Sequence, residues 1–314
     1  MTDTTTAPQT TDLDAARLAF RDELVDAGLL VPAGEPGLFG RNGTFDDVVD
    51  AVDRYITLGF AELAPERIRF APVIARSAFE RTDYVASFPQ LTGAIHTFTG
   101  SDRDHAALLA ARAAGEDWDR FLHPGETMLV SAVCHPLYDH LAGQQVDGRV
   151  FDVVGYTFRH EPSDDPMRLQ SFRMHEFVYV GGEDDARTFR NTWSERQAAM
   201  LAALGLDVTR VPANDPFFGR AGKFLAANQL TDELKIEVTV PIYPGLSDGT
   251  AIASANSAAD HFGAPFGITT ADGTVAHTSC IAFGMERITL ALFRTFGTSL
   301  ADWPVSTLDQ LSLR

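Results

Sequence analysis

Apolar residues at Leu13, Ala16, Phe20 and Leu24 recur at helical spacing and predict an amphipathic helix over 13–29, closed near Gly28. The Thr-rich stretch before it, residues 1–12, has no such period and is expected to be disordered. The glycine-rich segment 34–43 lacks a phosphate-loop Lys-Ser/Thr pair and reads as an ordinary loop. Thr44 with Asp47 resembles a capping box and opens a predicted helix to about Gly59. Pro65 and Pro72 bracket a short strand at 67–70, and a longer segment runs on to Phe88 and Pro89. Ala, Leu and Trp118 at helical spacing predict a helix over 102–121, and the apolar run 127–133 reads as a buried strand delivering Cys134 at its end. Further along come a helix over 185–204, an extended stretch at 207–212 and a strand at 233–242. They are followed by a loop at 245–249, a small-residue run at 251–257, a strand through Cys280 to Phe283, and a helix at 284–293. With no internal repeat and no clear linker, this order predicts an α+β fold in a single domain spanning 13–314.

The stretch 156–177 stands apart. Two aromatic and basic segments, 156–161 and 168–177, flank a polar, Pro-containing link at 162–167 and read as antiparallel strands joined by a mobile loop. Alternation puts Arg159 with Glu161, and Phe172 with Met174 and Glu176, on one face. A guanidinium, an aromatic plate and two carboxylates there suit a nucleotide, with Arg159 for a phosphate, Phe172 for a base and Arg168 at the loop edge for outer phosphates. An amphipathic hairpin with a solvated charged face would present the same residues.

Composition narrows the partners. The 314 residues are 45% hydrophobic and 22% charged, ordinary for a soluble globular chain with a substantial core. No run of 18 or more apolar residues occurs, and the first residues lack the basic and apolar regions of a signal peptide, so a cytoplasmic location is expected. A net charge of −18 argues against nucleic acid as the main partner. Only two lysines occur, Lys223 and Lys235, and only two cysteines, Cys134 and Cys280, for which a structural disulfide is the less expected use.

The order Arg159-x-Glu161, a loop, Arg168 and Phe172, followed much later by Gly284-Met285-Glu286-Arg287, resembles motifs 2 and 3 of the class II aminoacyl-tRNA synthetases. The resemblance implies a class II-like antiparallel sheet flanked by helices and a bound, bent ATP, with Mg2+ as its companion. It implies Arg159 on the α-phosphate, Glu161 at the adenine amino group, Phe172 stacked on the base, and Arg168 and Arg287 on the outer phosphates, with Leu169 at the same site. Fixed guanidiniums suit a carboxylate's attack on the α-phosphorus, because they stabilise the charge that builds there. Ala282 stands where motif 3 usually has its first glycine. The run 251–257, which opens with Ala251, Ile252, Ala253 and Ser254, resembles the serine- and asparagine-bearing stretch before motif 3 in seryl-tRNA synthetases and is expected at the nucleotide, with Lys235 as a phosphate partner or a solvated strand residue. Motif 1, the dimer element, is expected at 72–89.

Cys134, Glu176 and Cys280 resemble the zinc site of the atypical seryl-tRNA synthetases and their carrier-protein relatives. Three protein ligands leave a position open for a substrate amine. His135, His175 and His277 are nearby substitutes, with His175 expected to face away from Glu176 and His277 the first of them. Along β geometry Glu176 lies about 13 Å from Phe172, enough to part an adenine pocket from an amino-acid pocket. Atypical seryl-tRNA synthetases carry a large N-terminal tRNA-binding region, whereas here motif 2 begins near residue 156. The resemblance therefore points to the truncated amino acid:[carrier protein] ligases, through SFRMHEFV, ANDPFFGR, DHFGAPFGI and AFGMERITLALF as well. It implies a homodimer that activates glycine or alanine and loads the phosphopantetheine thiol of a small acidic carrier protein. A seryl-type aminoacyl-tRNA synthetase is the alternative. A non-catalytic paralogue is another, although the motif arginines are all present. Over 187–223 basic residues outnumber acidic ones six to three, so Arg187, Arg190, Arg196, Arg220 and Lys223 are candidates for carrier docking.

Overall fold

A computed structural model of the chain describes residues 9–219, 234–246 and 249–314. A small ribbon pairs β1 (Leu30–Pro32) with β2 (Phe39–Arg41). Seven strands form the main sheet in the spatial order β3 (Glu66–Ile68), β7 (Arg149–Phe158), β8 (Ser171–Gly181), β12 (His277–Gly284), β11 (Thr250–Ala259), β10 (Lys235–Val240) and β9 (Thr209–Pro212). Every neighbouring pair runs antiparallel except the outer strand β3, which lies parallel to β7. A second sheet, in the order β4 (Val73–Ala75), β6 (Leu122–Leu129) and β5 (Ala94–Phe98), stands beside it.

Strand β8 shows how sequence sets the two sides of the main sheet. On one side Phe177 stacks on Phe60 at 4.2 Å, and Phe283 of β12 meets Phe60 edge-on at 5.6 Å. Helices Gly43–Gly59, Glu183–Ala203 and Met285–Phe296 cover this side, where the larger core lies. Buried Glu286 ties helix Met285–Phe296 to β8 and β2, accepting from the Arg173 backbone N–H at 2.6 Å, Arg173 Nε at 2.8 Å and Arg41 at 2.9 Å. His175 faces this side too, with Nδ1 2.9 Å from Asp53 Oδ1 and Nε2 3.2 Å from Asp152 Oδ1. As the alternation of the strand demands, His175 therefore points away from Glu176.

Several local expectations are corrected. The first helix spans Gln9–Asp26, so residues 9–12 are helical and not part of a disordered tail. Asn42, not Thr44, caps helix Gly43–Gly59: its Oδ1 accepts from the Phe45 N–H at 2.9 Å, and Thr44 already lies inside the first turn. A capping box does occur at Ser101 and Asp104, opening helix Asp102–Ala113. That helix stops well short of 121, because Gly115 takes a left-handed φ of 71° and exposed Trp118 falls outside it. Strand β6 ends at Leu129, and Cys134 is the first residue of helix Cys134–His140 instead of the last residue of a strand. The segment 72–89 folds as β4 followed by two short helices, Arg76–Arg81 and Tyr84–Ser87.

Candidate active site

The other side of the main sheet floors a cavity of about 540 Å³. Strand register lays out its residues in rows. Glu176 pairs with Ala282, Ala282 with Ser254, and Ser254 with Glu237; one row on, Cys280 pairs with Asn256 and Asn256 with Lys235. Cross-strand partners share a face, so two carboxylates, a lysine, an amide and a thiol are set side by side with no loop involved. Phe172 and Met174 continue the floor along β8. Opposite stand Cys134, His135 and Tyr138 of helix Cys134–His140, Tyr84 and Phe88, and the segment around Asp215 and Phe217.

Arg159 follows β7 directly and enters this cavity. Its Nε donates to the Ser131 carbonyl at 3.1 Å, and its guanidinium lies 5.8 Å from the centroid of the Phe172 ring. Burial would lower its pKa, but Tyr84, Asp215 and Glu161 hold it above the ordinary arginine value, so it stays charged. Arg287, at the first turn of helix Met285–Phe296, also lines the cavity. It donates to the Met167 carbonyl at 2.8 Å and the Ala251 carbonyl at 3.1 Å, tying the hairpin link to β11. Ala251, Ile252, Ala253 and Ser254 all line the same space. Glu161, Arg168 and Leu169 lie outside the cavity wall: Arg168 is exposed and donates to Glu161 at 2.8 Å, and Leu169 is buried in the smaller core. Both charged members of that pair are close enough to Arg287 to act on it electrostatically.

Lys235 is neither solvated nor unpartnered. It is 8% exposed, with Nζ 2.5 Å from Asp215 and 2.9 Å from Glu237. Burial would lower its pKa, and the two carboxylates more than reverse this. Its charge is thus already balanced on the protein.

Cys134, Glu176 and Cys280 all line the cavity. Burial raises the Glu176 carboxyl to about 7, with Cys134 and Arg159 acting the other way. Burial also raises both thiols, and each feels the Glu176 charge. Asn256 Nδ2 lies 3.5 Å from Cys280 Sγ. Among the described residues no group of three or more His, Cys, Asp or Glu side chains is drawn together tightly enough to hold a metal ion as it stands. The donor chemistry nonetheless fits one: Glu176 Oε2 is buried without a hydrogen-bond partner, and a cation beside two thiols would relieve the cost of burying that carboxylate. His135 is buried among Phe79, Tyr84 and Phe262, and burial, then Arg159 and His261, lower it to about 3. His277 is not part of the cavity lining.

Among the described residues, the candidate docking cations do not share one exposed face. Arg190 is 6% exposed, and Arg187 and Arg196 are nine residues apart on helix Glu183–Ala203, about half a turn out of phase. Arg220 and Lys223 lie outside the described residues. Sequence reasoning missed Asp215, Glu237 and His261 as cavity residues. Glu237 shares a strand face with Lys235 and could have been read from alternation, but the other two arrive by loop paths.

No protein-family model matches the chain. Two curated relatives, both from Bradyrhizobium diazoefficiens, do. Amino acid–[acyl-carrier-protein] ligase 2 is 40% identical over 295 residues, 93% of this chain and 87% of the relative. Amino acid–[acyl-carrier-protein] ligase 1 is 38% identical over 296 residues, 93% of this chain and 90% of the relative. The chain belongs to the amino acid–[acyl-carrier-protein] ligase family. Solved structures extend the likeness of this ligase-family chain at the level of fold alone. The seryl-tRNA synthetase of M. kandleri, in complex with A. aeolicus tRNASec, matches with a TM-score of 0.79 at 18% identity, over 94% of this chain and 60% of that one. The cytoplasmic serine–tRNA ligase of Naegleria fowleri, in complex with AMP, matches with a TM-score of 0.70 at 12% identity, over 93% of this chain and 59% of that one. The class II synthetase fold expected from motifs 2 and 3 is thereby established for this ligase-family chain.

Proposed function

We propose that this protein activates a small amino acid, glycine or alanine, with ATP and transfers the aminoacyl group to the phosphopantetheine thiol of an acidic carrier protein. The observation that carries this reading is one cavity that holds Arg159, Phe172 and Arg287 together with Cys134, Glu176 and Cys280. In the first step a carboxylate oxygen of the amino acid attacks the α-phosphorus of ATP, and pyrophosphate leaves. Arg159 stabilises the negative charge that builds on the phosphoryl oxygens, in a cavity that excludes much of the solvent. Phe172 supports the adenine ring, and Arg287 the outer phosphates. Glu161 and Arg168 adjoin the cavity and would reach the nucleotide by parting from each other, with Mg2+ sharing the phosphate charge. Cys134, Glu176 and Cys280 would hold Zn2+, which when bound supplies a Lewis-acid position for the unprotonated α-amine. The adenylate is itself the activated acyl donor, so no enzyme nucleophile is required.

The reading includes a homodimer of 34.1 kDa chains and a cytoplasmic setting, where Cys134 and Cys280 stay reduced. No helix among the described residues is long and apolar enough to cross a membrane. Amino-acid-dependent ATP–pyrophosphate exchange over the standard amino acids tests the first step. Exchange with glycine or alanine is expected, and silence with all of them would remove the reading in favour of a non-catalytic paralogue.

A further inference from the structure

The proposed transfer step releases the proton of the carrier thiol, and a side chain that takes it as the C–S bond forms would make the sulfur the stronger nucleophile. Among the ionisable side chains lining the cavity, most are already committed. Lys235 is locked between Asp215 and Glu237. Cys134, Glu176 and Cys280 form the proposed metal donors, and His135 is enclosed by aromatic rings, its Nδ1 buried without a partner. His261 differs from all of these. It lines the same cavity, is exposed, and its ring rests edge-on against Phe262 at 4.7 Å. Asp83 is the other exposed ionisable side chain of this wall, held by Ser87 Oγ at 3.2 Å. A carboxylate is several pH units too weak a base for a thiol, whereas an imidazole lies much closer.

The backbone around His261 is built to hold it there. The pairing of β11 with β12 slips between Ser257 and Ala259, and Ala259 takes a left-handed φ of 47°, unusual for a residue with a Cβ. The chain then turns, with the His261 N–H donating to the Ala258 carbonyl at 3.0 Å. Phe262 stacks on Tyr138 at 4.2 Å, and Gly263 packs so tightly that a Cβ there would stand 1.9 Å from the Ala276 carbonyl oxygen. A bulge, a strained alanine and an obligatory glycine within seven residues aim one side chain into the cavity, and local strain of this kind collects at functional sites. His135, from helix Cys134–His140, is its electrostatic neighbour.

We infer that His261 is the general base of the thiol-transfer step. As the C–S bond forms between the phosphopantetheine sulfur and the acyl carbon, the S–H proton passes to the His261 ring. The bond from the acyl carbon to the phosphate oxygen breaks, AMP leaves with the electron pair, and the proton is released to solvent from the exposed imidazole. This role rests on the ligase reading above. It is tested with His261→Ala and His261→Gln by measuring pyrophosphate exchange and, on the same preparations, transfer of the aminoacyl group to free pantetheine and to carrier protein. Both variants should lower the ratio of transfer to exchange by about 100-fold for both thiols, and added imidazole should restore part of the loss in His261→Ala. A ratio equal to that of the unmodified protein would overturn the role. A loss confined to the carrier protein would also overturn it, by making His261 a docking residue. If the unmodified protein exchanges pyrophosphate but loads neither thiol, the ligase reading falls, and His261 as its base falls with it.

Discussion

Arg159 is held by the Ser131 carbonyl on one side and by the Phe172 ring on the other. Its charge is therefore placed before any substrate arrives, which is what transition-state stabilisation requires. Replacing it with alanine should lower pyrophosphate exchange by at least about 100-fold while the circular-dichroism melt stays cooperative; normal exchange would remove Arg159 from the chemistry. Cys280→Ser should cost the purified protein its bound zinc and raise the amino-acid KM more than the ATP KM. Unchanged metal content in that variant would sink the zinc reading. His175 makes a different prediction, because it stabilises the fold instead of the substrate. Burial alone would lower its pKa, but Asp152 and Asp53 raise it above the ordinary histidine value. Folding thus favours the protonated ring. That stabilisation is complete below the unfolded pKa of about 6.5 and is lost as pH rises through the folded value. His175→Asn should cost about 3 kcal/mol at about pH 6 and less at about pH 9, read from urea midpoints. An equal loss at both pH values would contradict the charged pair.

At the scale of elements, the alternation of β8 was the most legible part of the hairpin, whereas its first strand ends at Phe158 and leaves Arg159 and Glu161 beyond it. The two-residue alternation of β8 separates Phe172, Met174 and Glu176 from Arg173, His175 and Phe177 without any tertiary information. The helix carrying Arg287 was equally plain. What could not be read was register: that Glu237, Ser254, Ala282 and Glu176 form one row depends on how β10, β11, β12 and β8 slide against each other. Asp215 and His261 were hidden for another reason, since each arrives by an irregular path after a strand. The misplaced strand before Cys134 shows the limit of short apolar runs, which serve a buried strand or the approach to a buried helix equally well. The turn at Gly263 gives a direct test of one such path. Gly263→Ala should destabilise the protein by about 1–3 kcal/mol and lower transfer more than exchange, as the turn shifts away from Ala276. A melting temperature equal to that of the parent would show that the close packing there is not required.

For the whole molecule, the main sheet separates two tasks. One side carries Phe60, Phe177, Phe283 and the three long helices, and the other is shared between the cavity and the smaller core around Leu137, Val178 and Phe266. This division lets polar and ionisable side chains gather on the sheet while the opposite side supplies the burial that stabilises it. The antiparallel sheet was foreseeable from the motifs, whereas parallel β3 and the second sheet were not, because nothing local in a three-residue strand specifies its partner. The surface that meets a carrier protein was the least legible feature, since the six cations of 187–223 are divided among helix Glu183–Ala203, strand β9 and positions outside the described residues. The central claim remains that the acceptor is a thiol on a protein. Intact-mass spectrometry of a phosphopantetheine-bearing carrier protein, after incubation with this enzyme, ATP and glycine or alanine, measures it directly. One added aminoacyl group, removed by hydroxylamine, is the predicted result; an unmodified carrier alongside aminoacylation of total tRNA in the same mixture would contradict it.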